Sequence, residues 1–251
     1  MFEMKAAFDE LCVAIILVTC VLSVVAYPSD VNLTNSLVTS FIIPTNVRTT
    51  DPWYSTSANG VGDLNDDGVE DFAFGSVYAT PFGSSSLSQA GVVFVIWGKI
   101  TSVSFPSISS LPNTSLGLVI YGSVVNQRIG FGVAGGCDVN SDGVDDLIIS
   151  RRDSRAVFVV FGRRHGWTPV LFTSDLTGSN GFKITPGSSS NAWTYLFGKS
   201  PRCVDYNGDG FNDILFGDHM ADSIKGRAVL VYGRASWPSI INVSSSSFNG
   251  V

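Results

Sequence analysis

The feature that most constrains the fold of this chain is a nine-residue acidic segment that occurs three times. The three segments align without gaps, and their first positions lie 75 and 67 residues apart. They read DLNDDGVED at 63–71, DVNSDGVDD at 138–146 and DYNGDGFND at 205–213. A multi-part pattern repeated in one order predicts a fold built from similar supersecondary units placed side by side.

Short apolar runs flank every acidic segment. One run follows the segment directly, and a second run, closing on Gly, comes some ten to twenty residues later. The first runs are FAFG at 72–75, LIIS at 147–150 and ILFG at 214–217. The second runs are GVVFVIWG at 91–98, AVFVVFG at 156–162 and GRAVLVYG at 226–233. Runs rich in Val, Ile, Phe and Tyr and bounded by Gly, Asn and Ser clusters are typical of β-strands separated by turns.

Each unit predicts four strands: one entering the acidic segment, one leaving it, the Gly-terminated run and a looser fourth run. Residues 117–121 and 181–185 fill the fourth place in the first two units. No window beyond residues 11–26 has a sustained helical period of apolar residues. Four strands per unit, at a period of roughly 65–75 residues, predict an all-β chain of four-stranded β-propeller blades, with about three blades present.

The acidic segments predict three calcium sites. Oxygen-bearing side chains recur at positions 1, 3, 5 and 9, and position 6 is Gly, which permits a sharp reversal that turns the position-7 carbonyl inward. So many carboxylates in one turn repel one another unless a hard cation neutralises them, and Ca²⁺ accepts six to eight oxygens in a more tolerant geometry than Mg²⁺. The predicted ligands are Asp63, Asn65, Asp67, Val69 and Asp71; Asp138, Asn140, Asp142, Val144 and Asp146; and Asp205, Asn207, Asp209, Phe211 and Asp213.

Two other interpretations of these segments agree less well with the sequence. An EF-hand loop needs Glu at position 12 and helices on both sides, whereas position 12 here is Phe74, Ile149 or Phe216 and the flanks are strand-like. A metal-free Asp-Gly hairpin turn is an alternative for any single segment. The recurrence of four matched positions in three segments favours calcium.

The amino terminus predicts export. Residues 11–26 form an uncharged apolar run, shorter than the roughly 20 residues of a membrane span, and it ends in the small-residue pattern Val24-Val25-Ala26. We expect a signal peptide at 1–26 and a secreted protein, with an uncleaved anchor as the alternative because acidic residues precede the run. Glycosylation triplets begin at Asn32, Asn113 and Asn242, in Ser/Thr-rich stretches that we expect to be surface loops.

Removal of residues 1–26 leaves only Cys137 and Cys203. Two cysteines do not make a disulfide scaffold. The favoured interpretation is a pair of buried thiols at similar points of two repeats, and a bridge between neighbouring repeats is the alternative.

The charge balance and the absence of catalytic motifs exclude several functional classes. The chain has 15 Lys plus Arg against 21 Asp plus Glu, which excludes a basic nucleic-acid binder. No nucleophile elbow, HExxH helix or phosphate loop is present, and the two histidines, His165 and His219, are expected at the surface, so we predict no enzyme activity. The basic cluster of Arg151, Arg152 and Arg155 fits a solvated turn better than a site for an acidic partner.

Phe-Gly pairs precede the second and third acidic segments, at 131–132 and 197–198, whereas the first unit has YSTSANGVG. Phe-Gly, a short linker, D-x-N-x-D-G-x-x-D and an apolar strand together resemble the FG-GAP repeat. That repeat builds the seven-bladed β-propeller at the head of integrin α chains and occurs in glycosylphosphatidylinositol-specific phospholipase D. The resemblance covers about residues 37–251. It implies that each acidic loop joins the two inner strands of a blade and holds a structural Ca²⁺ on one face of the disc.

The resemblance also sets expectations for the whole chain. Residues 1–26 are the signal peptide, 27–50 an N-terminal segment with a lone blade-closing strand at 35–44, and 51–251 the repeats. About three blades are fewer than the seven of a complete ring. The resemblance therefore implies that a partner chain or further blades complete the ring. The expected function is cell adhesion or extracellular protein recognition. The alternative is carbohydrate binding, or an accessory propeller of an extracellular hydrolase or lyase.

Overall fold

The computed structural model of the chain describes residues 57–81, 84–98, 111, 115–152, 156–186, 197–218 and 226–243. This part is all-β, with thirteen strands and two short 3-10 helices at Ser85–Leu87 and Thr173–Asp175. None of its helices has the length and apolar character needed to cross a membrane. The predicted signal peptide at 1–26, the segment 27–50 and the strand at 35–44 lie outside the described residues.

The first sheet is a four-stranded antiparallel meander with a short fifth strand at its outer edge. Its strands are β1 (Ser57–Gly62), β2 (Asp71–Ser76), β3 (Val92–Ile96), β4 (Gly117–Tyr121) and β8 (Val170–Phe172). The fifth strand, β8, pairs in parallel with β4, although in the chain it belongs to the following unit.

The second sheet repeats the plan of the first. Its strands are β5 (Ile129–Cys137), β6 (Asp146–Arg151), β7 (Val157–Val160), β9 (Gly181–Thr185) and β13 (Ile240–Asn242). Here β13 is the parallel edge strand, and it is again supplied by the next unit along the chain. The fourth strands predicted at 117–121 and 181–185 are therefore confirmed as β4 and β9.

The third sheet has three strands within the described residues: β10 (Phe197–Val204), β11 (Asp213–Asp218) and β12 (Arg227–Val231). They correspond to the strand entering the acidic loop, the strand leaving it and the Gly-terminated run. Within the part of the chain that is described, each of the three sheets is open, and none closes on itself.

The sheets pack face to face in chain order. One core lies between the first and second sheets and includes Val95, Ile149 and Phe158. Another lies between the second and third sheets and includes Ile148 and Ile214. Because Ile148 and Ile149 point to opposite faces of a sheet that is buried on both, strand β6 is a continuous apolar run rather than an alternating one.

The first strands of the three sheets lie together, since β5 contacts both β1 and β10. Cys137 ends β5 and Cys203 lies in β10, and the two form a disulfide with Cα atoms 5.9 Å apart, across 66 residues of sequence. The favoured prediction of two separate thiols is therefore wrong. Neighbouring first strands run side by side. This brings the residues just before two successive acidic loops within disulfide-bonding distance.

The glycosylation triplets were predicted in surface loops, and for Asn242 that prediction is wrong. Asn242 is the last residue of β13, where it is exposed at the outer edge of the second sheet. A three-residue edge strand carries no sequence signal that distinguishes it from a loop. Asn32 and Asn113 lie outside the described residues.

Candidate functional site

All three acidic loops occupy the same place in the fold. Each joins the first strand of a sheet to the second: β1 to β2, β5 to β6 and β10 to β11. The strands on both sides of each loop agree with the sequence prediction and differ from the helices of an EF-hand. Since the first strands lie together, the three loops line one end of the stacked sheets.

Within each loop the side chains at positions 1 and 3 converge on one backbone amide. In the first loop, Asp63 Oδ1 and Asn65 Oδ1 both accept a hydrogen bond from the Asp67 amide at 3.0 Å. The second loop repeats this with Asp138, Asn140 and the Asp142 amide at 3.0 and 3.1 Å, and the third with Asp205, Asn207 and the Asp209 amide at 3.1 and 3.2 Å.

The side chain at position 5 completes the group. Asp67 accepts hydrogen bonds from the Val69 amide and from the side-chain amide of Asn65, each at 3.0 Å. Asp142 and Asp209 make the same two contacts in their loops. The predicted ligands at positions 1, 3 and 5 are thus brought together in all three loops. The ligand role of the Val69, Val144 and Phe211 carbonyls stays a prediction.

The Gly at position 6 has the backbone conformation that the sequence predicts. Gly68, Gly143 and Gly210 lie in the left-handed region with φ of 86, 88 and 88°. There the position-6 amide donates to the second oxygen of the position-1 carboxylate, at 2.7, 2.7 and 3.0 Å. A side chain at this position would strain the reversal that closes the loop.

Position 9 differs from the other predicted ligands. Asp71, Asp146 and Asp213 are buried, at most 1% exposed, and begin the second strand of each sheet. Asp71 accepts hydrogen bonds from the Leu64 amide at 2.9 Å and the Gly98 amide at 2.7 Å. Asp146 and Asp213 do the same with the equivalent amides, those of Val139 and Gly162 and of Tyr206 and Gly233. This carboxylate therefore fastens the loop to the end of the third strand.

The close approach of loop and third strand explains why the second apolar run always closes on Gly. A Cβ at Gly98 would lie 2.2 Å from the Glu70 carbonyl oxygen, and one at Gly162 would lie 2.0 Å from that of Asp145. In the third sheet, a Cβ at Gly233 would lie 2.6 Å from the Asn212 carbonyl oxygen. Only a residue without a side chain leaves room for the loop backbone.

Burial raises the pKa of Asp71 to about 7 and that of Asp146 to about 8. The carboxylates at positions 1 and 5 of the same loop raise both values further, while the two backbone hydrogen bonds to each group lower them. The loops thus hold negative charges close enough to interact unfavourably. A bound cation would remove that cost.

Position 8 carries a role that the sequence analysis missed. Asp145 Oδ2, in the second loop, accepts a hydrogen bond from the Asp63 amide of the first loop at 2.8 Å. Asn212 Oδ1, in the third loop, accepts one from the Asp138 amide of the second loop at 2.8 Å. The recurrence of an oxygen-bearing side chain at position 8 was a visible signal for this link between loops.

Further contacts join the first and second loops to the next sheet. The Arg163 amide donates to the Leu64 carbonyl at 2.9 Å, and the Arg234 amide donates to the Val139 carbonyl at 3.0 Å. The Arg164 side chain forms an ion pair with Asp66 in the first loop. The three loops are therefore one connected layer rather than three separate turns.

The oxygen donors of each loop are of the kind that a hard cation such as Ca²⁺ prefers. Each loop offers carboxylate and amide oxygens at positions 1, 3 and 5, and an oxygen that accepts one amide hydrogen bond retains a further lone pair. In the part of the chain that the structure describes, no group of three or more His, Cys, Asp or Glu side chains is placed to hold a metal ion by itself. A bound ion therefore needs the Asn oxygen or backbone carbonyls as well, as the predicted ligand set supplies.

The other residues singled out from the sequence are the two histidines and three arginines. His165 is exposed, and His219 and Arg155 lie outside the described residues. Arg151 ends β6 and Arg152 follows it, at the opposite end of the sheets.

No protein-family model matches the chain, and no curated protein matches it.

Proposed function

We propose that this chain is a calcium-stabilised β-propeller segment of an exported protein, serving cell adhesion or extracellular protein recognition. The observation that carries the proposal is the acidic loop itself. It has the same place between the first two strands of three neighbouring sheets, with the same hydrogen bonds at positions 1, 3, 5, 6 and 9.

The arrangement of the sheets supports a propeller. Four-stranded antiparallel meanders that pack face to face, with their first strands together, are the building plan of propeller blades. Each unit also supplies an edge strand to the sheet before it, as β8 and β13 do, which ties successive sheets into one body. On this proposal the three sheets form an arc of a ring that a partner chain or further blades complete.

The loop layer supports a structural role for calcium. Residues at positions 1, 3 and 5, the position-7 carbonyl and the carboxylate at position 9 would hold one ion in each loop. The ion supplies positive charge that neutralises the clustered carboxylates. Position 8 of the second and third loops is bonded to the loop before it, so an ion that orders one of these loops also stabilises its neighbour.

Two features support an extracellular setting. The disulfide between Cys137 and Cys203 fits an oxidising compartment. The exposed Asn242 fits an acceptor for a surface glycan. A rigid, cross-linked stack of sheets offers a fixed surface on which loops make contacts, as recognition modules require.

A binding array tests this function. The full chain, secreted from a eukaryotic host, is applied to printed extracellular matrix proteins and printed glycans, with calcium or with a chelator. The proposal expects binding to proteins that is lost with the chelator. Binding confined to glycans, or protein binding that the chelator leaves unchanged, would overturn it.

A further inference from the structure

The two faces of the third sheet have different surroundings. One face packs on the second sheet, because Ile214 and Val229 belong to the core that the two sheets share. Side chains alternate between the two faces along a strand, so Leu215 of β11 and Leu230 of β12 belong to the other face, where they are cross-strand partners. This outer face points away from the second sheet.

The outer face exposes large apolar side chains. Leu215 lies on the middle strand of the described sheet and is 38% exposed, and Val204 on β10 is 46% exposed. Two tyrosines lie at the end next to the acidic loop: Tyr206 within the loop, 70% exposed, and Tyr232 just after β12, 37% exposed. Exposed apolar side chains grouped on one face typically mark an interaction site. We call Val204, Tyr206, Leu215, Leu230 and Tyr232 the third-sheet face.

The repeat shows what covers this face elsewhere in the molecule. Counted from the acidic segment and from the closing Gly, the five residues correspond in the second unit to Cys137, Val139, Ile148, Val159 and Phe161. All of these are at most 6% exposed and lie in the core between the second and third sheets. The first unit follows the same plan, since Ala73 and Val95 lie in the core between the first and second sheets. In both units, therefore, another β-sheet covers the face.

The opposite end of the stack is covered by the chain itself. The outer face of the first sheet includes Phe74, Phe94 and Ile96, all at most 4% exposed, and they share a buried cluster with Leu111 from the connection between β3 and β4. That face has no room for the third-sheet face of a second copy, which excludes head-to-tail stacking. Since the second sheet is buried on both faces, two copies can cover their third-sheet faces with a sheet only by pairing these faces with each other.

The residue types on the third-sheet face favour a partner that binds and separates over a permanent core. Where the second unit has Val139 and Phe161, the third has Tyr206 and Tyr232. A tyrosine hydroxyl is hydrated while the face is free, and the aromatic ring gains from burial when the face is covered. Tyrosine is accordingly enriched at protein interfaces, which have an apolar centre and a polar rim. Arg202, exposed on β10, adds to that rim.

We propose that the third-sheet face binds the same face of a second copy of this chain, in a dimer with twofold symmetry. Leu215 and Leu230 form the apolar centre of the interface, and Tyr206 and Tyr232 pack around it. The two stacks of sheets then share one core, as the second and third sheets do within a single chain. The inference goes beyond the proposed function and does not depend on bound calcium.

Sedimentation equilibrium of the full chain tests the dimer. The protein is measured at about 1–100 µM, a range that brackets the dissociation constants of many reversible dimers. We expect a single monomer–dimer equilibrium. A monomer at every concentration, or a series of larger oligomers, would overturn the proposal. Neither result bears on the binding array, so failure of the dimer and failure of the recognition function are distinguishable.

A double variant and a matched control locate the interface. Leu215→Ser with Tyr232→Ser removes apolar surface from the third-sheet face, and near-ultraviolet circular dichroism checks that the variant is folded. The control, Val124→Ser with Val125→Ser, removes two valines that are 60% and 48% exposed in the connection between β4 and β5. We expect the first variant to raise the dissociation constant of the dimer about tenfold or more and the control to leave it unchanged. Equal weakening in both, or weakening in neither, would contradict the assignment.

Cysteine capture adds a gain of signal that a misfolded variant cannot supply. In Leu215→Cys the new thiol lies on the middle strand, near the centre of the paired faces, so a short bismaleimide reagent should join two copies covalently. The unchanged protein and Val124→Cys are the controls for other thiols and for random collision. We expect a covalent dimer from Leu215→Cys alone. An equal yield from Val124→Cys, or no covalent dimer from Leu215→Cys, would overturn the assignment of the interface to this face.

Discussion

The Asp145 carboxylate accepts a hydrogen bond from the backbone amide of Asp63, 2.8 Å away in the neighbouring loop. The equivalent contact between Asn212 and Asp138 links the second and third loops. The two contacts place an acceptor from position 8 of one loop at the start of the loop before it. The candidate calcium sites are therefore coupled by direct contact, and changes in one loop are expected to affect its neighbour.

The coupling contact gives the first prediction. Asp145→Ala leaves the half-buried Asp63 amide without its acceptor and should lower the free energy of unfolding by about 0.5–1.5 kcal/mol. Asp145→Asn should cost much less, because Asn212 makes the same contact with an amide oxygen. Urea unfolding of both variants measures the difference. An equal loss of stability in the two variants would contradict a stabilising role for the hydrogen bond to the Asp63 amide.

The disulfide gives the second prediction. It closes a long loop, because Cys137 and Cys203 are 66 positions apart in sequence, so Cys137→Ser with Cys203→Ser should lower the free energy of unfolding by about 2–4 kcal/mol. Peptide mapping under non-reducing conditions should recover the cross-linked pair. A reducing agent should destabilise the native protein and leave the double variant unchanged. Free thiols at both positions in the secreted protein would contradict the bond.

The third prediction concerns the glycine that ends the third strand. In Gly162→Ala the new methyl group would meet the Asp145 carbonyl oxygen at 2.0 Å, so the loop must shift, at a cost of about 1–3 kcal/mol. Gly60→Ala is the control, because its methyl group meets only the flexible end of the Glu70 side chain. Thermal unfolding of the two variants compares them. A Gly162 variant as stable as the control would contradict the close approach.

The fourth prediction is a pH dependence of the calcium-free protein. Burial raises the folded-state pKa of Asp71 to about 7 and that of Asp146 to about 8, above the unfolded value of 3.8. The folded state therefore binds protons more tightly than the unfolded state, and stability is lost as pH rises through the window from about 4 to 8. Melting of metal-depleted protein should occur at a higher temperature at pH 5.5 than at pH 8.

Calcium should reverse that dependence. The ion and protons compete for the same carboxylates, so the calcium-saturated protein should gain stability as pH rises over this range. The metal-depleted and calcium-saturated series control for each other, because all other titrating groups are the same in both. A melting temperature that rises with pH in the metal-depleted protein would count against the raised pKa values.

The strands and loops could be predicted from the sequence because their signals are local. The two apolar runs after each acidic segment predicted β2, β3, β6, β7, β11 and β12, and the repeated spacing placed β4 and β9 correctly. The parallel edge strands β8 and β13 were not predicted. They have three residues each, and they are strands only because the outer strand of the preceding sheet pairs with them.

Contacts between units were beyond the reach of local patterns. The bond between Cys137 and Cys203 depends on how neighbouring first strands lie side by side, which no single repeat encodes. The position-9 carboxylates were predicted only as ligands, because their second amide partner, such as Gly98, lies 27 residues away in sequence.

Calorimetric melting of the full chain, with saturating calcium and with a chelator, tests the central claim most directly. At a calcium concentration about 100 times the dissociation constant, each site contributes about 2.7 kcal/mol. Three occupied loops should then raise the melting temperature by about 15 °C or more for a chain of this length. Equilibrium dialysis in the same buffer should find three ions per chain. A melting temperature that is the same with calcium and with the chelator would contradict the structural role of the acidic loops.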